Sequence, residues 1–583
     1  MTPGTVRLSI EPAMAALELV LLLLAVSAGL RLVAERLRVP YAAVLVVGGL
    51  LLAFVPGLPQ VTLPPEVLFL VFIPPLLYAG AISYPLRDFR REIGAILRLS
   101  IVLVLISTAA VAVVAHWLHP SFTWAAAITL GAIISPPDPV AVLSIMRPLR
   151  IPRAIVSILE GEGLINDATA LVTYRLAVVA AVTGAFSPSQ AAVQFLVGGA
   201  GGIVIGLLIA VIVARVHRVT RTVPVVSNTV SLLTPFASYL LADLVGASGI
   251  LSVVATGMYA ARTVPKVLGP AIRLQIFGTW TVVTFMLESL VFILVGLELP
   301  YVARALNCFP LSMLLREAAL VTLCVVLVRL VWVMPSTYIF RGLGRWFRGS
   351  KEPLPPWRWV LFIAWAGLRG ADSLVLALSL PLLTASGARF PARDQIIFIS
   401  FCVIFITLVV QGPTLAPFAR WLGIGADEDE GAEDAHARLA AAEAGLKTLE
   451  EPAIASSPYP EVVRYLKQRH RQRARRWAAR EAEPHEAEPE DVAHDHDHFT
   501  IAPSHEAAAI DERRSVEYRR VRSAMLRAEQ EAILDLRDRG VIADDVMRSI
   551  QRDLDLETML LETSEPVIET ASEVPAAIDA ASR

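Results

Sequence analysis

The chain has 583 residues; 55% are hydrophobic, 18% are charged, and its mean hydropathy is +0.61. Soluble globular chains average roughly 25% charged and 45–50% apolar residues, so an ordinary cytosolic enzyme, a disordered scaffold and a nucleic-acid binder are excluded. A net charge of −2 gives no global field for steering acidic partners. Three cysteines (Cys308, Cys324 and Cys402), all in or beside apolar stretches, are too few for a disulfide framework or a Cys-rich metal site. They read as membrane-buried apolar residues.

Two unlike parts follow one another. Residues 1–422 are mostly long apolar runs, and stretches 99–137 and 176–214 contain no Asp, Glu, Lys or Arg. Each is too long for one span of about 20 residues and must hold parts of two. From Asp427 the composition reverses into Asp-Glu-Asp-Glu and then Ala-, Glu- and Arg-rich helix formers. The sequence thus predicts a bilayer-embedded domain over 1–422 and a mainly helical, water-soluble tail over 423–583.

In chain order, splitting at Pro, Gly and charge clusters predicts an all-α polytopic protein of about thirteen spanning helices. They fall at 13–31, 40–57, 65–84, 95–117, 122–146, 152–183, 190–214, 225–245, 248–262, 275–299, 311–340, 357–384 and 395–419. The first apolar run lacks a basic n-region and a small-residue cleavage site, so it reads as a span and not a signal peptide. Arginines gather in alternate loops: Arg31, Arg36 and Arg38; Arg87, Arg90 and Arg91; Arg215, Arg218 and Arg221; Arg341, Arg345 and Arg348. The intervening loops 55–65, 116–122, 184–190 and 245–248 hold no Lys or Arg, with Arg304, Arg389 and Arg393 as exceptions elsewhere. Basic loops stay cytoplasmic, so the N-terminus is expected outside and the tail inside.

A charge at mid-bilayer costs about 2.5–3.5 kcal/mol even on a lenient scale, which makes each retained one a functional candidate. The fifth span reads Gly-Ala-Ile-Ile-Ser-Pro-Pro-Asp-Pro-Val over 131–140. Pro136, Pro137 and Pro139 remove donors and obstruct the preceding turn, so the helix must unwind there, with Asp138 at the break. Such backbone is tolerated only against protein or a watery cavity. The sixth span carries Glu160-Gly-Glu-Gly-Leu-Ile-Asn-Asp. Glu162 and Asn166 share a helix face, and Asp167 is one position on. Glu160 reads as a cap of the cytoplasmic end, and Arg175 as a structural partner of a buried acid. In the twelfth span, Gly367 and Gly370 loosen the helix around Arg369, and Asp372 follows within one turn. Glu288 is either a neighbour of the site or a partner for another buried charge. The interrupted fifth and twelfth helices, seven apart and opposed in direction, suggest inverted halves 1–6 and 8–13 with a binding site at the midplane.

At these residues the chain resembles monovalent cation:proton antiporters of the NHE-like, NhaP-related branch. The matching stretches are SPPDPVAVLSIM (135–146), ILEGEGLINDATALVTYR (158–175), LVFILVGLELP (290–300), LVRLVWVMP (327–335) and WAGLRGADSLVLALSLP (365–381). Together they cover essentially the whole membrane domain, and LRDRGVIADDVMRSIQRDLDLE (536–557) resembles the tail of bacterial members. The resemblance implies a homodimer in a bacterial inner membrane, a six-helix core with two unwound, crossing helices, and no cofactor. It makes Asp167 the carboxylate that binds the proton and the transported Na⁺ (or Li⁺ or K⁺) in turn. Asn166 and Glu162 would support it, Asp138 and Pro137 would lie on the facing break, and Arg369 would be the cation of the second break. Two positions depart from the family. Gly163 replaces a side chain near the ion, leaving a ligand missing or replaced by water. Asp372 is an extra acid, expected either to pair with Arg369 or to alter ion preference.

One buried carboxylate holds a proton or a small cation, not both. Burial disfavours its charged form, so cytosolic pH decides which ligand wins. An empty, ionised Asp167 crosses a dry region poorly, which couples the two fluxes. With Asn166 in place of a second acid, one proton per cation and no net charge movement are expected. In the tail, helices are expected near 433–450, 458–482, 512–538 and 543–562. They are separated by a His/Asp/Glu-rich linker near 481–498. There His494, His496 and His498 suit weak Zn²⁺ or Ni²⁺ binding, pH sensing, or no more than a solvated linker. The rivals are a tail-regulated K⁺/H⁺ antiporter, a cation channel, an organic-anion carrier and an intramembrane aspartyl protease. The protease would want a Gly-x-Gly-Asp setting that the chain lacks.

Overall fold

The computed structural model describes residues 3–563, apart from 38, 57–64, 120–121, 147–148, 150, 185–187, 306–309, 349–353, 426–427 and 483–504. The chain divides into two compact units, Met1–Asp427 and Glu428–Arg583. Among the described residues the only β pairing is one isolated bridge between Leu383 and Arg389.

The first unit opens with α1 (Pro3–Leu37), α2 (Tyr41–Leu52) and α3 (Pro65–Ser83). Next, α4 (Leu86–Leu97) runs through a π turn into α5 (Val104–Leu118), and α6 (Trp124–Ile134) is followed after a break by α7 (Pro139–Met146). Long helices follow: α8 (Arg153–Thr183), α9 (Pro188–Val219), α10 (Pro224–Leu244), α11 (Gly249–Val267), α12 (Pro270–Ala305) and α13 (Leu311–Arg348). A second broken pair, α14 (Trp357–Trp365) and α15 (Ala371–Leu378), precedes α16 (Arg393–Phe405). A π turn over Ile406–Gln411 then leads into α17 (Leu415–Trp421). Among the described residues nine helical stretches are long and apolar enough to cross a membrane by length and composition. Each predicted span contains a helix, and the two predicted to be interrupted are the two that are broken.

The helices often run past the predicted ends. The first was expected over 13–31 and covers Pro3–Leu37; the eleventh was expected to stop at 340 and reaches Arg348. Arg, Glu and Lys mark the exit from apolar surroundings, but they are good helix formers and do not end a helix. The twelfth errs the other way. It was expected to reach 384 and ends at Leu378, after which the chain turns. Pro265 and Pro300, each beyond the expected end of its span, lie inside helices, as do Pro74, Pro75, Pro235 and Pro335 within theirs. Over 135–139, by contrast, three prolines fall within four residues; Ser135 keeps helical backbone as the C-cap of α6, and the break follows it.

Small residues set the closest packing. A Cβ at Gly49 would overlap the Ile293 carbonyl, and one at Gly296 would overlap that of Val46, so α2 and α12 touch backbone to backbone.

The second unit comprises α18 (Glu428–Thr448), α19 (Pro452–Ala455), α20 (Pro460–Ala482), α21 (His505–Asp538) and α22 (Asp544–Thr563). Leu466, Met525, Leu526, Ile533, Ile550 and Leu554 form its buried apolar centre. Inside it Glu529, fully buried, accepts hydrogen bonds from Arg522 Nη1 (2.6 Å) and Arg473 Nη1 (3.2 Å) and meets His470 Nε2 (2.9 Å). Burial pushes this carboxyl up, but Arg522, His470 and Arg473 outweigh it and hold it down at about 2. Most of the predicted linker 481–498, with His494, His496 and His498, lies outside the described residues, as does Cys308.

Candidate cation and proton site

The break between α6 and α7 frees backbone groups in an apolar interior, and each has to find a partner. Asp138 N–H donates to the Leu368 carbonyl, 2.8 Å away in the other break. The Pro137 carbonyl accepts from Asn166 Nδ2 at 2.8 Å. Pro136, Pro137 and Pro139 have no N–H to satisfy. The Asp138 carboxyl turns back on its own chain and accepts from Val140 N at 2.8 Å, capping α7.

The second break is satisfied in the same way. Unwinding at Ala366–Gly370 frees the carbonyls of Ile363 and Trp365. Arg329 takes the first through Nε and Nη2 (3.3 and 3.1 Å), and Gln411 Nε2 takes the second (2.7 Å). Arg369 N donates to Thr407 Oγ1 (3.1 Å) in the π turn after α16. The two breaks therefore touch. Gly370 packs so closely on the Asp138 carboxyl that a Cβ would overlap it.

Helix α8 lies against this junction and brings Asn166 and Asp167 to it. Asn166 is fully buried; its amide is anchored on Pro137, and its Oδ1 has no hydrogen-bond partner among the described residues. The carboxyl of Asp167 lies within hydrogen-bonding range of Asp372, and Asp138 acts on it electrostatically. Gly163 is where the expectation changes. A Cβ there would overlap the Pro139 ring, so the place of an extra side chain is filled by proline and not by water. Asp372, in the first turn of α15 just after the second break, lies within hydrogen-bonding range of Asp167, while Arg369 faces Arg329 and Glu162. Among the described residues no group of three or more His, Cys, Asp or Glu side chains is arranged to hold a metal ion.

Residues 21–421 match the family model described as "Sodium/hydrogen exchanger, transmembrane". The chain belongs to the sodium/hydrogen exchanger family. An uncharacterized Na⁺/H⁺ exchanger of Mycobacterium tuberculosis is 32% identical over 534 residues, covering 90% of this chain and 93% of that one. A sodium, potassium, lithium and rubidium/H⁺ antiporter of Bacillus subtilis is 35% identical over 383 residues, 64% of this chain and 56% of the other. The sodium proton antiporter MjNhaP1 from Methanocaldococcus jannaschii, at pH 8, shares the fold. Its TM-score is 0.51 at 21% identity, over 70% of this chain and 98% of that one. This exchanger is thus a multi-span membrane transporter that exchanges a cation for protons.

Other candidate residues of the exchanger fall into separate groups. Both oxygens of Glu162 are engaged by Arg329, at 2.5 and 2.8 Å, with both side chains at 2% exposure or less. Arg369, equally buried, faces Arg329 and Glu162, and its Nε and Nη1 have no hydrogen-bond partner among the described residues. Arg175 pairs with Asp243 at 3.3 Å, but both are about half exposed, so its acid is not the buried one expected. Glu288 acts on Tyr41.

Arg329 is the member that sequence reasoning passed over as a site residue. The signal was there: a lone arginine with no other charge from 318 to 340. Its partner stands 167 positions away. Arg329→Met would strip both Glu162 oxygens of their hydrogen bonds and leave Arg369 as the facing positive charge, at a cost of about 1.5–3 kcal/mol. In thermal unfolding of the detergent-solubilised protein this variant should melt well below the wild type, and Arg329→Lys, which keeps a charge and donors in reach of Glu162, should recover part of the loss. An Arg329→Met variant that melts with the wild type contradicts the assignment.

Proposed function

We propose that this exchanger carries either a proton or one alkali cation on Asp167 and presents that carboxyl alternately to the two sides of the membrane. The observation that carries the reading is the meeting of the two breaks, with Asp167 brought to it by α8. Polar backbone and three acids are gathered where the surrounding helices are apolar, the setting in which transporters bind at the midplane. A cation at Asp167 would draw on its carboxylate, on the unpaired Oδ1 of Asn166 and on nearby carbonyls. Such oxygens suit hard monovalent ions, Na⁺ or Li⁺ first. K⁺ is the rival cargo, favoured by the range named for the Bacillus subtilis relative.

Coupling needs no further device. Asp167 without proton or cation is a bare charge, and its passage through a dry region is costly. Counted from Asp167 and the neutral Asn166 alone, the exchange is one for one. Asp138, capping α7, and Pro137, holding Asn166, would then keep the junction in shape. Glu162 and Arg329 would brace α8 against α13. Two inverted halves rocking about the junction, and a homodimer, follow from the resemblance and complete the proposal. The loop arginines support an outside N-terminus and an inside tail.

Asp167→Asn should fold and insert normally yet abolish cation-driven dissipation of a pH gradient in proteoliposomes; normal dissipation by this variant ends the assignment. For the orientation, Gly431→Cys in a chain with its own cysteines replaced by alanine should react with an impermeant maleimide only after cells are opened. Labelling of intact cells reverses it.

A further inference from the structure

The fold brings together three acids, one from the first break and two from helices α8 and α15, and they are not equivalent. Asp138 spends its carboxyl on the α7 cap. Asp167 and Asp372 are left facing each other within hydrogen-bonding range, the first on α8 and the second in the first turn of α15. Two ionised carboxylates repel at that distance, and a hydrogen bond between them requires a proton in common. Among the described residues no basic group is named as acting on either acid. Arg369, the nearest arginine in sequence, is turned toward Glu162 and Arg329, and Arg329 is already engaged by Glu162. Among the described side chains, the other titratable groups on helices packed against α15 are Tyr78 on α3 and Arg273, Glu288 and Glu298 on α12; α16 adds Arg393, Asp394 and Cys402. Of these, Arg393 bonds the Leu380 carbonyl and Asp394, and Arg273 bonds the carbonyls of Pro265 and Leu268. The charges acting most strongly on Asp167 are Asp372 and then Asp138.

A second observation points to a ligand at the same place. The Oδ1 of Asn166, on a fully buried side chain next to Asp167, has no partner among the described residues. Its amide nitrogen is fixed on Pro137, so the amide cannot rotate to pair the oxygen without giving up that bond. An acceptor held at an acid pair suits a cation or a protonated carboxyl.

We infer that the exchanged ion is held by Asp167 and Asp372 together: the pair shares the proton between its carboxyls, and the cation that displaces it is ligated by both. This rests on Asp167 being the exchanging carboxyl and adds a second ligand to it, from the other broken helix. The step is balanced. One cation enters between the carboxylates, and the shared proton leaves to water on the side then open. The arrangement also ties the two halves of the junction to the ion, since α8 and α15 each supply one ligand.

The test is cation-stimulated proton flux in proteoliposomes of the full-length chain, with Asp372→Asn, Asp372→Glu and the wild type compared over pH 6–9.5. In Asp372→Asn a single carboxyl gives up its proton without a charged neighbour. Half-maximal exchange should therefore move about one pH unit or more toward acid. With one charge fewer on the cation, the KM for Na⁺ at the alkaline end should rise about tenfold, equivalent to one pH unit of interaction. Asp372→Glu, which keeps an acid in reach, should restore the profile toward the wild type. A brace that merely holds α15 in place would lower the rate of both variants and leave the pH profile alone. A pH midpoint and a KM within twofold of the wild type in Asp372→Asn overturn the inference. Where Asp372→Asn does not fold, Asp372→Ser is measured in its place, and a pH midpoint and KM within twofold of the wild type there overturn the inference. Absence of cation-stimulated flux in the wild type is a separate outcome; it removes the exchange reading itself.

Discussion

Backbone that is not helical cannot be left unpaired in an apolar interior, and that constraint organises the site. Three prolines in four residues unwind one helix; glycines at 367 and 370 permit a second to unwind. Each break supplies part of what the other lacks. Asp138 N–H meets the Leu368 carbonyl, and Gly370 has no side chain so that the Asp138 carboxyl can lie against it. What remains is taken up by side chains chosen for the purpose: Asn166 for Pro137, Gln411 for Trp365, Thr407 for Arg369 and Arg329 for Ile363. The polar groups freed by the two breaks are thereby satisfied at one junction.

Charge is divided there into two groups of opposite sign. Glu162, Arg329 and Arg369 carry one net positive charge and are linked by a bidentate ion pair. Asp138, Asp167 and Asp372 carry acid only. Glu162 has both oxygens engaged by Arg329, whereas Asp167 faces another acid. On the proposed reading, this difference separates bracing from binding among residues that look alike in sequence, with Glu162 a brace and Asp372 a ligand of the exchanged ion.

Much of the architecture was legible along the chain. Apolar runs located the helices, Ser-Pro-Pro-Asp-Pro located the first break, and Gly-Leu-Arg-Gly the second. Asn166 and Asp167 declared themselves as polar groups with no local reason to be buried. The helix ends were not legible, because Arg and Glu leave the apolar layer without leaving the helix. Nor were the partners. Glu162 meets Arg329 across 167 positions, and no local spacing encodes that. Asp372 lies three residues from Arg369, and proximity along the chain suggested a pair that the break itself prevents by turning the two side chains toward different neighbours. Gly163 looked like a lost ligand until the Pro139 ring was seen to occupy its place.

The central claim is that proton and cation compete for the same carboxyl oxygens at the junction of the breaks. The most direct measurement is the apparent affinity for Na⁺ as a function of pH in reconstituted wild-type protein. Competition for one proton predicts that the KM for Na⁺ rises about tenfold for each unit of pH lost on the acid side, with the maximal rate at saturating Na⁺ unchanged. A KM that stays constant while the maximal rate falls with pH would contradict it and would put the proton at a different site.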